Sequence, residues 1–287
     1  MLAKLFVLLQ YLLPKHWLTA IVYRVARIRN TALKNFLITK FVKLYDVNVE
    51  EIKLKLPADF ATFNEFFIRE LNDDARPIDE HTDSIVAPAD GTVSLAGSLS
   101  KDRLLQAKGI EYSLDDLLAT DLHEATSYIN GRFATIYLAP YNYHRVHAPF
   151  DAELLAARYV PGDLFSVNDA TAARVKGLFR RNERLVMHFR TAHGPAVLIF
   201  VGALNVGSIS TPWCGEIRPR KSGIVDAIDI SRHSTTIKKG DLLGWFNMGS
   251  TVILLLPDGV GDWQGGLEPG KTLQMGESIG TFSAGAG

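Results

Sequence analysis

The hydrophobic pattern of the chain changes near residue 45 and again near residue 84. The run Leu5-Phe-Val-Leu-Leu-Gln-Tyr-Leu-Leu13 ends at Pro14-Lys15, at about half of the ~20 apolar residues a helix needs to cross a bilayer. Pro-Lys-His-Trp follows it, with no small-residue cleavage site of the kind a secretory signal carries. Next, at about 100° per residue, Leu18, Ile21, Val22 and Val25 fall on one helical face with Arg24 and Arg27 opposite. Leu33, Phe36, Leu37 and Leu44, interleaved with Lys34, Lys40 and Lys43, continue that theme, and Tyr11, Trp17 and Tyr23 suit the headgroup level of a membrane.

From about residue 84 short β-rich runs alternate with Gly, Pro, Asn and Asp. They are Gly91–Leu95, Arg132–Leu138, Ala196–Val201 and Thr251–Leu256, with Lys238–Phe246 as a turn entering a strand. Helical exceptions are predicted at Thr62–Arg69, Leu114–Leu118 and Asp169–Val175. The expected fold is α+β: a mostly antiparallel, sandwich-like or barrel-like β body (46–287) behind an amphipathic helical segment (1–45).

Composition sharpens this picture. Hydrophobic residues make up 47% and charged residues 22% of 287 positions, which excludes a disordered chain. A single cysteine, Cys214, excludes an internal disulfide framework and a cysteine-built metal cage. Cations and anions balance at 31 each, so the whole chain has no bias toward nucleic acid. Residues 1–45 nevertheless hold eight cations and no acid, leaving 23 cations against 31 anions in the rest. A basic, apolar head on an acidic body suits an anionic membrane surface, where each nearby cation contributes on the order of 1 kcal/mol. The alternative is a helical pair packed on the protein's own core with a solvated basic face.

Several chemical motifs can be set aside. Gly276-Glu-Ser-Ile-Gly280 matches a nucleophile elbow but lies too near the chain end for the partners an elbow needs. His144 and His147 share a face only on a helix; in an extended strand, odd spacing sends the rings apart, and no third metal ligand is evident. His16, His81, His123, His188, His193 and His233 are scattered. Three features remain: a carboxylate in the turn Pro88-Ala-Asp-Gly91; a dense polar stretch from Tyr137 to Pro149 with two histidines and three tyrosines; and Gly249-Ser250 at the mouth of an apolar strand. Each alone is compatible with a structural role.

Together they resemble a known family. Phe63-Asn-Glu-Phe-Phe-Ile-Arg69, Ala75-Arg-Pro-Ile78, Pro88-Ala-Asp-Gly91, Gln106-Ala-Lys-Gly109, Tyr143-His-Arg-Val-His147, Pro161–Asn168, Arg181-Asn-Glu-Arg184, Val201-Gly-Ala203, Val206-Gly-Ser208 and Gly249-Ser-Thr251 run nearly end to end, with Leu9-Gln-Tyr-Leu-Leu-Pro14 ahead of them. In number and order they resemble phosphatidylserine decarboxylase of the membrane-associated bacterial type. Met248 stands where that type usually carries Leu, a swap of similar volume.

The resemblance implies self-cleavage between Gly249 and Ser250 into chains 1–249 and 250–287. The Ser250 hydroxyl attacks the Gly249 carbonyl, and the resulting ester eliminates to leave a pyruvoyl group derived from Ser250. His147 matches the base for this step and Asp90 the residue that orients it. The pyruvoyl ketone then forms a Schiff base with phosphatidylserine, carbon dioxide leaves, and phosphatidylethanolamine is released. His144 matches a position used in decarboxylation. The resemblance further implies a covalent pyruvoyl cofactor with no metal, phosphatidylserine and anionic lipids as partners, and two chains that stay together. A homodimer is compatible with it, nucleic acid is not a partner, and the place is the cytoplasmic side of the inner membrane, held peripherally.

Three competing readings stay open at this level. One is a serine hydrolase using Asp90, His147 and Ser250, though apolar strand sequence rather than a helix follows that serine. Another is a non-catalytic membrane-docked β module in which Gly-Ser is only a turn. The last is a pyruvoyl decarboxylase of a soluble amino acid, which the basic apolar head disfavours.

Overall fold

A computed structural model describes residues 2–101, 103–107, 110–119, 125–231 and 233–283. Lys108 and Gly109 of the Gln106 motif, His123 and the closing residues 284–287 lie outside the described residues.

Three helices open the chain: α1 (Leu2–Leu12), α2 (Lys15–Ala26) and α3 (Thr31–Tyr45). Pro14 N-caps α2, and the chain bends by 91° between the first two helices. Among the described residues no single helix is long and apolar enough to cross a membrane; α1 and α2 pass such a test only as a bent pair. The Asn30 side chain accepts from Leu33 N at 3.0 Å to start α3, and Asp46 ends it in the left-handed region at φ 50°. The orientation of α1 and α2 reverses the usual one. Leu5, Leu8, Leu12 and Trp17 are exposed, whereas Gln10, Lys15 and Thr19 are buried against the body. A water-facing helix does the opposite.

A short helix, α4 (Phe63–Phe67), is built by its own sequence. The Thr62 hydroxyl accepts from Glu65 N at 3.1 Å, and the Glu65 carboxylate takes the Ala61 N–H at 2.7 Å. This is close to a capping box. The predicted helix Thr62–Arg69 is thus shortened at both ends. That over Asp169–Val175 is realised as Asp169–Ala172, and Leu114–Leu118 as written.

The body is α+β, and every ladder between described strands is antiparallel. The largest sheet runs in space through Ala152–Val160, Arg184–Thr191, Gly194–Val201, Thr251–Leu256, Arg132–Tyr137 and Gly91–Ser98, with two-residue strands at its edges. A second sheet orders Gly215–Ile217, Ile209–Thr211, Leu242–Phe246 and Arg145–His147. A third joins Ser84–Val86, Ser278–Phe282 and Gly261–Trp263, and Arg103–Ala107 pairs with Ile110–Ser113. The sheets pack in sandwich fashion and close no barrel. Ser278 of the discarded elbow motif opens a strand, not a helix.

Thr251–Leu256 is the centre. Val252 to Leu256 are each 0% exposed. Thr251 to Leu255 pair with Val201 to Val197 on one side, and Thr251 to Leu256 with Tyr137 to Arg132 on the other. At ~1.5–3 kcal/mol for each buried aliphatic side chain, these five contribute on the order of 10 kcal/mol of transfer free energy before entropy is counted. A smaller core lies beneath α3, where Phe60, Phe63, Phe66 and Phe67 pack with Ile38 and Ile52 and Met248 leans on the cluster. Phe41 of α3 meets Phe63 at 5.3 Å and Phe67 at 5.9 Å between ring centroids.

Leu254→Ala should cost about 2–5 kcal/mol, read by denaturant unfolding of the intact chain. A loss under 1 kcal/mol would contradict its central place.

Candidate active site

The segment Asn247–Ser250 joins the second sheet to the central strand and is held at both ends. Asn247 N donates to Ser208 O at 3.0 Å, and its side-chain amide to Ser208 Oγ at 2.8 Å and Ser210 Oγ at 3.0 Å. From the other side, the Asn64 amide of α4 donates to Asn247 O at 2.9 Å. Downstream, Leu138 N donates to Ser250 O at 2.8 Å.

Between these anchors sits the Gly249-Ser250 peptide. The Ser250 side chain is 0% exposed and its Oγ has no hydrogen-bond partner among the described residues. A buried unpartnered hydroxyl costs roughly 1–3 kcal/mol, and such sites recur where chemistry is done. Gly249 is needed for space. A Cβ there would lie 3.1 Å from His144 Nε2 and 3.2 Å from Leu138 O. Its φ is not among the positive values, so close approach, not a left-handed backbone, accounts for glycine.

The two histidines sent apart by their odd spacing do occupy different surroundings. His144 precedes the strand Arg145–His147 and is fully buried, its ring 4.1 Å from that of Phe67. Among the described residues neither ring nitrogen makes a hydrogen bond of good geometry, and a weak interaction with the Asn142 backbone only partly favours its charged form. Burial, reinforced by the nearby Arg69 guanidinium, pushes its pKa down to about 3, so the ring is neutral. Arg69 is itself buried and lowered to about 10 by desolvation. It donates to Tyr141 O at 2.9 Å and Asn142 O at 3.3 Å, fixing the loop that carries His144.

His147 Nδ1 lies 2.8 Å from Gly240 O, and a carbonyl can only accept, so Nδ1 carries the proton. Nε2 is left as the lone-pair nitrogen, 3.0 Å from the Tyr143 hydroxyl. Burial lowers the pKa of this ring as well, with the Gly240 hydrogen bond opposing it. Its backbone N–H donates to Pro88 O at 2.7 Å, tying the strand to the turn before Asp90.

Asp90 is buried and fully engaged. Arg76 grips it with two hydrogen bonds, at 2.8 and 2.6 Å, and Met275 N donates to Oδ1 at 2.9 Å. Arg76 also reaches Glu51 at 3.0 Å. Thus Asp90 and His147 meet through the Pro88 backbone and through charge, with no hydrogen bond between the two side chains, and none links either to Ser250. Arg76, Arg69, Asn64 and Asn247 are the site residues that sequence reading left without a role. Arg76, Arg69 and Asn64 stood inside quoted motifs, but only tertiary pairing says what they hold. Among the described residues no cluster of three or more His, Cys, Asp or Glu side chains is placed to hold a metal ion.

A cavity of about 240 Å³ reaches Gly249. Its walls come from Phe41 and Tyr45 of α3, from Ser166–Val167, from Ala203–Asn205, and from Tyr137, Leu138 and Met248. No charged side chain lines it.

Known proteins bear on this arrangement. The family model described as phosphatidylserine decarboxylase matches residues 63–281, and a second, described as PSD, matches residues 5–46. The chain is 43% identical over 281 residues to a protein of Alcanivorax borkumensis, covering 98% of this chain and 97% of that one. It is 44% identical to one of Methylococcus capsulatus over 97% and 96% of the two chains. A third, of Glaesserella parasuis, is 43% identical over 96% and 93%. All three are named phosphatidylserine decarboxylase proenzyme.

The protein is therefore a decarboxylase, a carboxy-lyase acting on phospholipid. It belongs to the phosphatidylserine decarboxylase family.

Two outcomes follow from the geometry for the self-cleavage that the sequence resemblance implies, each read as conversion of the chain into the two expected fragments. Gly249→Ala should slow that conversion about tenfold or more, because His144 or the Leu138 carbonyl must give way; an unchanged rate would show the gap to be slack. Both histidines have pKa values below the ordinary 6.5. If either ring serves as the base in its neutral form, conversion should be level near neutrality and decline only with a midpoint below pH 6.5. A midpoint above 6.5 would exclude both rings as buried neutral bases.

Proposed function

We propose that the chain is a precursor that cuts itself between Gly249 and Ser250 and then decarboxylates phosphatidylserine to phosphatidylethanolamine. The observation that carries this reading is the fully buried, unpartnered Ser250 hydroxyl next to a tightly packed glycine, at the head of the central strand. The proenzyme names of the relatives support it.

In the first stage Ser250 Oγ bonds to the Gly249 carbonyl carbon while the Gly249–Ser250 C–N bond breaks, leaving an ester and a free amine. Loss of the Cα proton of residue 250 expels the Gly249 carboxylate. Water then releases the nitrogen as ammonia and leaves a terminal pyruvoyl group. His147 is the proposed base: its Nε2 bears the lone pair, so its bond with Tyr143 must open for Ser250 to be deprotonated. Asp90, locked by Arg76 and Met275 N, supplies the fixed negative charge that favours the protonated ring.

The residues present fit such a group. The central strand keeps residue 250 in place after the cut, and a cavity without charged walls adjoins it. When formed, the group supplies an electrophilic ketone that serves as an electron sink for loss of carbon dioxide. The chain's own contribution is to exclude water around the reacting carboxylate and to hold a neutral His144, buried behind Gly249, for proton transfer to the product carbon. The exposed apolar face of α1 and α2 would lie in the headgroup layer, with the exposed cations Lys4, Arg24, Arg29, Lys40 and Lys43 on anionic lipid.

A second reading gives His144 the role of base in the cut, since its Nε2 would lie 3.1 Å from a Cβ built on Gly249.

Ser250→Ala should remain one uncut chain of full length, inert to carbonyl-trapping reagents and without lipid decarboxylation; normal turnover by that variant would refute the proposal. His147→Ala and His144→Ala, compared by denaturing gel, decide between the bases: the one that stays uncut held the proton.

A further inference from the structure

Two walls of the cavity beside Gly249, Ser166–Val167 and Ala203–Asn205, belong to no regular strand or helix. Both are held from outside the β body, by the helices that open the chain. In α1, the Gln10 side chain is 0% exposed although its neighbours Leu9 and Tyr11 are 46% and 49% exposed. Its Oε1 accepts from Ser166 N at 2.8 Å, and its Nε2 donates to Thr171 Oγ1 at 3.1 Å. In α2, Thr19 is 1% exposed, and its Oγ1 accepts from Asn205 N at 3.2 Å.

Further struts run the same way. Lys15 pairs with Asp163 at 3.1 Å and donates to Gln10 O at 2.9 Å; His16 contacts Gly162 O at 3.1 Å. Tyr23 and Arg27 both bind Glu216, at 2.9 and 2.7 Å, and Glu216 is hydrogen-bonded to Ser208, which also accepts from Asn247. The two walls are joined to each other by Asn182, which holds Phe165 through two bonds and Gly202 O through a third at 2.8 Å.

A helix pair serving only as an anchor has no need to bury an amide and a hydroxyl on backbone N–H groups of a cavity wall. We infer that α1 and α2 form a frame for the lipid-headgroup cleft, in which Gln10 and Thr19 are positioning residues that set the spacing between the Ser166 and Asn205 walls. The inference rests on the proposed function and takes the cavity that reaches Gly249 as the place where the lipid headgroup enters. It adds a role for α1 and α2 separate from membrane attachment.

The two roles separate when the substrate needs no membrane. Purified full-length protein would be assayed on monomeric dihexanoyl phosphatidylserine and on vesicles containing long-chain phosphatidylserine. Gln10→Met and Thr19→Val each leave a buried wall N–H without its acceptor. They should raise KM for the short-chain lipid about 5–10-fold, with kcat within about twofold and the two-fragment pattern on gels unchanged. Thr19→Ser, which keeps the acceptor, should restore the original KM. Leu9→Gln on the outward face should weaken activity on vesicles alone. If Gln10→Met and Thr19→Val keep the original KM on the short-chain lipid and lose activity only on vesicles, the helices are anchors and the inference is overturned. It is overturned equally if Thr19→Ser is as impaired as Thr19→Val. An unsubstituted protein that stays uncut and turns over neither lipid would instead remove the functional proposal beneath it.

Discussion

The ladder on both sides of Thr251–Leu256 is the constraint on which the rest depends. A strand paired with Val197–Val201 and Arg132–Tyr137 in unbroken register, with every side chain buried, has no freedom to slide, because a one-residue slip would exchange its two faces. Its first residue therefore begins at a fixed point, and Ser250 immediately before it inherits that position. The same ladder makes a broken backbone tolerable. Covalent continuity at Gly249–Ser250 contributes little to holding a strand already secured along its whole length. A reactive peptide can thus sit next to the most stable part of the molecule.

Around that point the protein keeps charge out and keeps neutral bases in. His144 and His147 are both disfavoured as cations, the first by full burial beside Arg69, the second by burial against a partial rescue from Gly240. The buried carboxylate of Asp90 is satisfied by Arg76 and a backbone N–H. Electrostatic interactions are worth far more in such dry surroundings than in water.

Much of this was legible in the residues. The helical head, the central apolar strand and the Gly-Ser at its mouth followed from periodicity and turn chemistry, and the segment order was enough to point to the family. The strand Ala152–Val160 was not legible: Ala-Glu-Leu-Leu-Ala-Ala-Arg favours helix by propensity, and only its pairing with Arg184–Thr191 makes it a strand. The helix at Thr62–Arg69 was overdrawn because its caps, Thr62 and Ile68, leave room for five residues. At the site, Asp90, His147 and Ser250 could be picked out by motif, but the grip of Arg76 on Asp90, the hold of Asn64 on Asn247 and the burial of Gln10 are long-range contacts that spacing along the chain does not encode.

The bond from Met275 N–H to Asp90 crosses the proposed cut. In a processed molecule the acid would belong to the large polypeptide and the amide that steadies it to the small one. Two halves taken from different relatives would then have to agree on more than a complementary strand: a hybrid whose tail shifted near Met275 could assemble well and still leave its acid poorly seated.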